Sequence, residues 1–430
     1  MKFLLASWGS SGDLHPFLAL AVALRQRGHD VTLAGNPWWR SQTEAAGIPF
    51  LTAGPEQTPA MLFEHPQILS PRFMGLESVR ALMREGVAPA LPAMYETLLK
   101  AAPQYDCLVA HHFTFGAAMA AEKTGVPWVT VTLAPGVLPS AYHLPAGAYC
   151  RAFGGPLGRT LNRFLWWFGR KVVSLAIDGG INRFRRAQGL PEVRDIMFRG
   201  VSPQLNLLLY SSHFAAPAPD YTPEKKIVGF CYWDPLDAWE PPKRLVEFLN
   251  AGSPPWLFTM GSAMVLAAQQ FYDEAAVAMR GKPERAVLLA GPYAQQMLNL
   301  PPNVLAMDSA PYGWIMPRCA AVAHQCGIGT VSHVLRAGLP SVLCPVAFDQ
   351  PNNAMRLWEL GVGRYLPHRQ RTAQNLYAAF REVISGPAAH AARELGQKLR
   401  AQDGPQLACE ELERFVQRSA VPQNDALAKT

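Results

Sequence analysis

Short apolar runs alternate along the chain with segments whose apolar residues recur every three or four positions, and polar residues collect where one pattern gives way to the other. The runs Phe3 to Ser7, Val31 to Ala34, Cys107 to Ala110, Trp128 to Leu133 and Gln204 to Tyr210 predict buried strands. Between the first two, Phe17, Leu20, Ala21 and Leu24 mark one helix face, with Pro16 near its first turn, Arg25 and Arg27 in its last and Gly28 just beyond. A second helix is expected around Phe115 to Lys123. After the proline- and charge-rich segment AAPAPDYTPEKK the alternation restarts, with strands at Trp256 to Thr259, Ala286 to Ala290, Asn303 to Met307, Ala320 to Ala323 and Ser341 to Pro345. This repeated βα grammar predicts an α/β protein of two Rossmann-like parallel-sheet domains facing a central cleft. The expected division is 1–215, a linker at 216–242, 243–418, and a frayed polar tail at 419–430.

In such sheets ligands bind beyond the carboxyl ends of the strands, where helix starts present free N–H groups. The stretch VAHQCGIGTVSHVLRAGLPSVLCPVAFDQ, Val322 to Gln350, fits that position best. It reads as a strand ending at His324, a turn carrying Gly327 and Gly329, a helix stopping at Gly338, and a strand leading to Asp349 and Gln350. On the same edge of the first domain lie the turn GSSGD, the pair His111 and His112, and the loop Pro135 to Tyr149. Adjacent strand residues point to opposite faces, so at least one of the two histidines is expected to be structural.

Composition narrows the possibilities. With 430 residues, 49% hydrophobic and 17% charged, the chain is globular and long enough for two cores. The net charge of +7 suits an anionic small substrate or a lipid surface. No Lys/Arg run interleaved with aromatics accompanies it, so nucleic acid is discounted. The seven cysteines are scattered without a CxxC pair, as in a reduced, cytoplasmic protein. The N-terminal apolar run is too short for a signal peptide, and no window approaches a membrane span.

Residues Arg159 to Ile177 form a stripe of Leu161, Phe164, Leu165, Phe168, Val172, Leu175 and Ala176 beside Arg159, Arg163, Arg170 and Lys171. The favoured expectation is a helix packed on its domain with snorkelled arginines. The alternative is an apolar lid with peripheral membrane contact, to which Trp166 and Trp167 would contribute.

Metal chemistry is not expected, since no HExxH, paired CxxC or DxD spacing occurs. GxSxG, GxGxxG and GxxxxGK[ST] are absent too. The strand tips instead offer groups suited to a nucleotide sugar. His324 can donate to a phosphate oxygen, Gly327, Gly329 and Thr330 open a helix, and Ser262 adds a hydroxyl. Asp349 and Gln350 can hydrogen-bond sugar hydroxyls.

These residues resemble the donor signature of glycosyltransferase family 1, enzymes of the GT-B fold that use nucleotide-diphosphate sugars. GSSGDLHPFLALAVALRQRGH, EKTGVP, FTMGS and APYGWIMPRCAAVAH match in order and spacing, so the likeness spans most of the chain. Within the family it is most similar to bacterial lipid- and natural-product-modifying members, rhamnosyltransferases among them. The resemblance implies that His324 and Thr330 hold the diphosphate, Asp349 and Gln350 the donor sugar, Gly12 the facing turn, and the Ala310 backbone the nucleobase, with Trp314 nearby. It also implies an inverting, metal-independent transfer from a UDP- or dTDP-sugar to a hydroxyl of a lipophilic acceptor, with no cofactor. Asp13 occupies the slot of the catalytic His in many relatives, and His15 is the other candidate base; His111 or His112 would orient the acceptor. Where relatives carry two glycines, this chain has Cys326 and Gly327, and a side chain there is expected to narrow the phosphate approach or to shift donor choice. A sugar-nucleotide epimerase and a non-catalytic binding subunit remain as alternatives.

Overall fold

The computed structural model describes residues 1–58, 61–69, 76–234 and 239–420. Strands β1 (Lys2–Ser7), β2 (Asp30–Gly35), β3 (Phe50–Thr52), β4 (Cys107–His111), β5 (Trp128–Thr132), β6 (Asn206–Leu208) and β7 (Lys225–Ile227) form one parallel sheet, in the order β3-β2-β1-β4-β5-β6-β7. Strands β8 (Trp256–Thr259), β9 (Ala286–Leu289), β10 (Val304–Met307), β11 (Ala321–His324), β12 (Ser341–Leu343) and β13 (Gly363–Tyr365) form the second, in the order β10-β9-β8-β11-β12-β13. The pleat explains why the central strands are apolar throughout. Phe3, Leu5, Cys107 and Val109 pack into one core, whereas Leu4, Ala6, Leu108 and Ala110 face another on the opposite side of the sheet. Trp256, Phe258 and Leu288 are separated from Leu257, Val287 and Leu289 in the same way.

Each sheet reverses its strand order at one place, between β1 and β4 and between β8 and β11. A crevice must open beyond the carboxyl ends there, because the connecting helices leave in opposite directions. The tips concerned are Ser7 and His111 in one domain and Thr259 and His324 in the other.

The N-terminal sheet continues through Lys225–Ile227, within the stretch 216–242 expected to be linker, because β7 pairs with β6. A three-residue strand reading Lys-Lys-Ile carries no apolar run that would announce it. Five helices frame the cleft and its flank: α1 (Ser11–Gln26), α2 (Phe115–Thr124), α3 (Gly155–Ala187), α4 (Ile328–Ala337) and α5 (Gln350–Glu359). The last described helix, α6 (Gly404–Ala420), crosses back to the first domain and inserts Ala408, Cys409, Leu412, Phe415 and Val416 into the core around α1. Glu413 receives hydrogen bonds from Arg27 at 2.7 and 2.8 Å and lies 2.8 Å from His29, and the Arg27 contact holds its pKa down at about 2.

A second bridge lies on the other side of the cleft. Asn352 in α5 donates to the Leu144 carbonyl at 3.0 Å, and its backbone N–H reaches Ala146 at 3.2 Å. Arg151 adds a cation–π contact with Trp358 at 4.1 Å. The loop Pro135 to Tyr149 on the ligand edge thus also straps the two domains together.

The expectation for Arg159 to Ile177 requires correction. Helix α3 is anchored by Trp166, Ile177 and Ile181, while Leu161, Phe164, Phe168 and Leu175 of the predicted stripe face outward. Helical periodicity identifies which residues share a face, and it carries no information on whether a neighbour exists to cover that face.

Leu412 is fully buried in the N-terminal core. Leu412→Ala should therefore cost about 2–5 kcal/mol of unfolding free energy in urea titrations; a loss below about 1 kcal/mol would mean that α6 is not part of that core.

Candidate active site

Helix α1 begins with a reciprocal cap. The Ser10 hydroxyl accepts from Gly12 N–H, and Asp13 Oδ2 accepts from the Ser10 N–H at 2.7 Å and from its hydroxyl at 3.0 Å. Gly9 sits at φ +133°, and a side chain on it would collide with the Asp13 carboxylate, which explains the glycine. Both bonds from Ser10 end on Oδ2, leaving Oδ1 to face His111 Nε2 at 3.8 Å. The Asp13 side chain keeps 29% of its surface exposed, yet the cleft removes enough water to raise its pKa to about 6 against the opposing effect of the Ser10 bonds. Burial drives His111 the other way, to about 3, so the ring beside Asp13 stays neutral.

In the second domain His324 ends β11 with no exposed surface. Its Nδ1 accepts the Cys326 N–H at 3.1 Å, so the ring proton resides on Nε2, which has no hydrogen-bond partner. Burial pushes the His324 pKa down to about 3. The result is a neutral imidazole with one buried, unmatched N–H donor. Next to it, Gln325 donates to Thr330 Oγ1 at 3.2 Å and leaves its own Oε1 unpartnered. Asp349 immediately precedes α5 and makes no side-chain capping bond to it; Asn353 donates to its carboxylate at 2.7 Å and to the Cys326 carbonyl at 3.0 Å. Burial, aided by the nearby Asp13 charge, raises the Asp349 pKa to about 6.

The two helix starts meet. A methyl group on Gly329 would lie 3.3 Å from the Cα of Gly12, so the starts of α1 and α4 are in close contact there. Asp13, His111, Gly12, Gly329 and Asp349 are thereby gathered across one cleft. His15, the other candidate base, faces His333 of α4 and accepts a hydrogen bond on Nε2 from Gln42 at 3.0 Å. That bond occupies its basic lone pair, and burial lowers its pKa to about 4.

Other predicted residues stand further off or are used differently. Ser262 is exposed on the one-turn helix Gly261–Met264, which lies against α1. Ala310 is buried beyond β10, and its loop returns to the β8 tip through Tyr312, whose hydroxyl meets Thr259 Oγ1 at 2.8 Å. Trp314 lies between Trp239 and Arg318. Gln350 spends its carbonyl oxygen on the N–H groups of Val346 and Ala347, at 2.9 and 3.0 Å, so its amide nitrogen is the end left for a ligand.

Two expectations need correcting. His111 and His112 do not diverge to opposite faces: their ring centroids are 4.3 Å apart, because β4 ends at His111 and His112 already belongs to the turn before α2. Cys326 does not narrow the phosphate approach. Its backbone takes φ +67°, the conformation that favours glycine, and its side chain is fully buried with Val331, Leu335 and Leu343. Gln325, Asn353 and Ser10 are site residues that the sequence pattern did not single out. Only Ser10 carried a legible signal, as the first residue of an S-x-x-D capping pattern.

Comparison with known proteins agrees with this geometry. Residues 3–143 match the glycosyltransferase family 28 N-terminal domain, and residues 284–415 match the erythromycin biosynthesis protein CIII-like C-terminal domain. The chain is 32% identical over 427 residues to O-mycaminosyltylonolide 6-deoxyallosyltransferase of Streptomyces fradiae, covering 97% of this chain and 98% of that protein. It is 26% identical to a sterol 3-beta-glucosyltransferase of Arabidopsis thaliana, covering 97% and 68% respectively. The crystal structure of the kitacinnamycin glycosyltransferase superposes with a TM-score of 0.74 at 20% identity, over 96% of this chain and 99% of that one. The chain belongs to the GT-B glycosyltransferases that this relative and these domain families define.

If the unmatched His324 donor meets a diphosphate oxygen, His324→Ala should weaken dTDP or UDP binding by about 10- to 100-fold, as measured by calorimetry. Melting of the unliganded variant would report any loss of packing separately, and affinity within about two-fold of the parent would exclude this contact.

Proposed function

We propose that this glycosyltransferase performs an inverting, metal-independent transfer of a hexose or deoxyhexose from a UDP- or dTDP-sugar to a hydroxyl of a lipophilic small acceptor, with Asp13 as general base. One observation carries the reading: the start of α1, with the Asp13 carboxylate beside His111, meets the start of α4 of the other domain, whose preceding strand ends on the buried, unmatched His324 N–H.

In the proposed reaction the acceptor oxygen attacks the anomeric carbon while its proton passes to Asp13 Oδ1. The bond from that carbon to the diphosphate oxygen breaks on the opposite face. The departing charge falls on the N–H groups opening α4 and on His324 Nε2–H, both fixed before the reaction begins. Neutral His111 matters here because a charged ring at 3.8 Å would lower the Asp13 pKa and weaken the base. Asp349 and the Gln350 amide would hold the sugar, and His111 with His112 would border the acceptor.

The relatives support the finer assignments by analogy. The name of one specifies a deoxyhexose as the transferred sugar, and that of the other a sterol as acceptor. A rhamnosyl or glucosyl donor and a hydroxy-fatty-acid, sterol or macrolide-like acceptor form the panel to assay.

Asp13→Asn should reduce transfer by about 10²- to 10⁴-fold while leaving donor affinity nearly unchanged. Because the base must be ionised, the parent rate should fall as pH drops through about 6; the Asp13–Asp349 coupling makes that limb a property of the pair. Turnover should persist in EDTA. Donor conversion without any acceptor, measured by mass spectrometry, would instead favour epimerase chemistry.

A further inference from the structure

Helix α3 presents a surface that the transfer reaction does not use. Leu157, Leu161, Phe164, Phe168 and Leu175 are 85, 41, 54, 40 and 79% exposed. At 100° per residue these five positions fall within about 60° of one another, so they form one continuous apolar ridge. Trp167, 55% exposed, stacks on Phe164 at a centroid distance of 5.8 Å along its flank. The opposite side of the helix, through Trp166 and Ile177, is what attaches it to the domain. The ridge is therefore anchored from behind and uncovered in front.

Charge identifies the occupant. Over Gly155 to Ala187 the helix carries seven Lys and Arg residues and one acidic residue, Asp178, whose carboxylate accepts from Ser174 and from the Asp195 and Ile196 N–H groups. Arg170 is neutralised by Asp195, whereas Lys171 is exposed beside the ridge and Arg163 is exposed one turn from Trp167, further round the helix; no ion pair to Arg163 or Lys171 is found among the described residues. An apolar ridge with exposed, unpaired cations on the rest of the helix, whose one carboxylate is turned onto its own domain, matches an anionic bilayer, whose acyl region takes the side chains while its headgroups take the charges. A protein partner or a second copy would more often require some acidic complement on this face. Among the described residues no helix is long and apolar enough to cross a membrane, so the contact lies in the plane of the interface.

We propose that α3 is an interfacial helix that docks the N-terminal domain on anionic membrane surfaces. This goes beyond the transfer reaction and does not depend on which sugar or acceptor is used.

The test is flotation of the full chain with vesicles of phosphatidylcholine alone or with phosphatidylglycerol. The protein should float with phosphatidylglycerol vesicles at low salt, much less in high salt, and little with phosphatidylcholine alone. The double variant Phe164→Glu, Phe168→Glu should abolish flotation. Arg163→Glu with Lys171→Glu, which alters only exposed side chains, should weaken it about ten-fold or more with an unchanged thermal melt. Failure of the parent to float with phosphatidylglycerol vesicles would overturn the proposal. So would a stable dimer in sedimentation equilibrium that Phe164→Glu, Phe168→Glu dissolves, since the ridge would then be a contact between copies.

Discussion

The close approach of two helix starts is the constraint around which this molecule is arranged. Helices α1 and α4 both direct the positive ends of their dipoles toward the same cleft, and they come so near that a side chain on Gly329 would crowd the Gly12 backbone. Two like-signed ends facing each other are electrostatically unfavourable by themselves and favourable around an anion. The strand-order reversal in each sheet places the starts there. Helix α6 packed on α1, together with the Asn352 bond to the Leu144 carbonyl, holds the two domains in that relation.

The cleft also concentrates features that cost stability. His111 and His324 are buried histidines with unmatched nitrogens, and Gln325 has an unmatched carbonyl oxygen. Leaving such a group unpaired costs roughly 1–3 kcal/mol. Cys326 and Phe348 adopt left-handed backbone, at φ +67° and +59°, on either side of the donor turn. Single unmatched atoms occur away from the cleft as well, at Thr43 for example. At the tip of β11 they coincide with the left-handed backbone of Cys326, a pairing that Asp195 also shows away from the cleft.

Much of this was legible in the sequence for simple physical reasons. Central strands buried on both faces must be apolar throughout, and polar residues at their tips must then face a crevice, so Val322 to Gln350 and the GSSGD turn could be placed without coordinates. The edge strands β3, β7 and β13 were invisible because they are only half-buried and demand no apolar run, whereas the equally short but buried β6 and β12 were legible. The direction of the α3 stripe was unreadable because burial depends on what the rest of the chain brings near it. The proximity of His111 to His112 depended on the residue at which β4 ends, and boundaries are the least certain part of a pattern. Cys326 illustrates a subtler limit: a departure from glycine reveals that a side chain is present, while only the backbone twist shows that it turns into the core.

The chemistry arises from dividing one site between two bodies. In the proposed reaction a base on one domain and a leaving-group cradle on the other leave the anomeric carbon between them, with attack and departure on opposite faces in a single displacement. The anomeric configuration of the product, read from its proton coupling constant by NMR after reaction of a donor of known configuration, tests this most directly. Inversion is the expected result, seen as the opposite anomer from that of the donor; retention would require a covalent or front-face route and would contradict the assignment of Asp13 as a base.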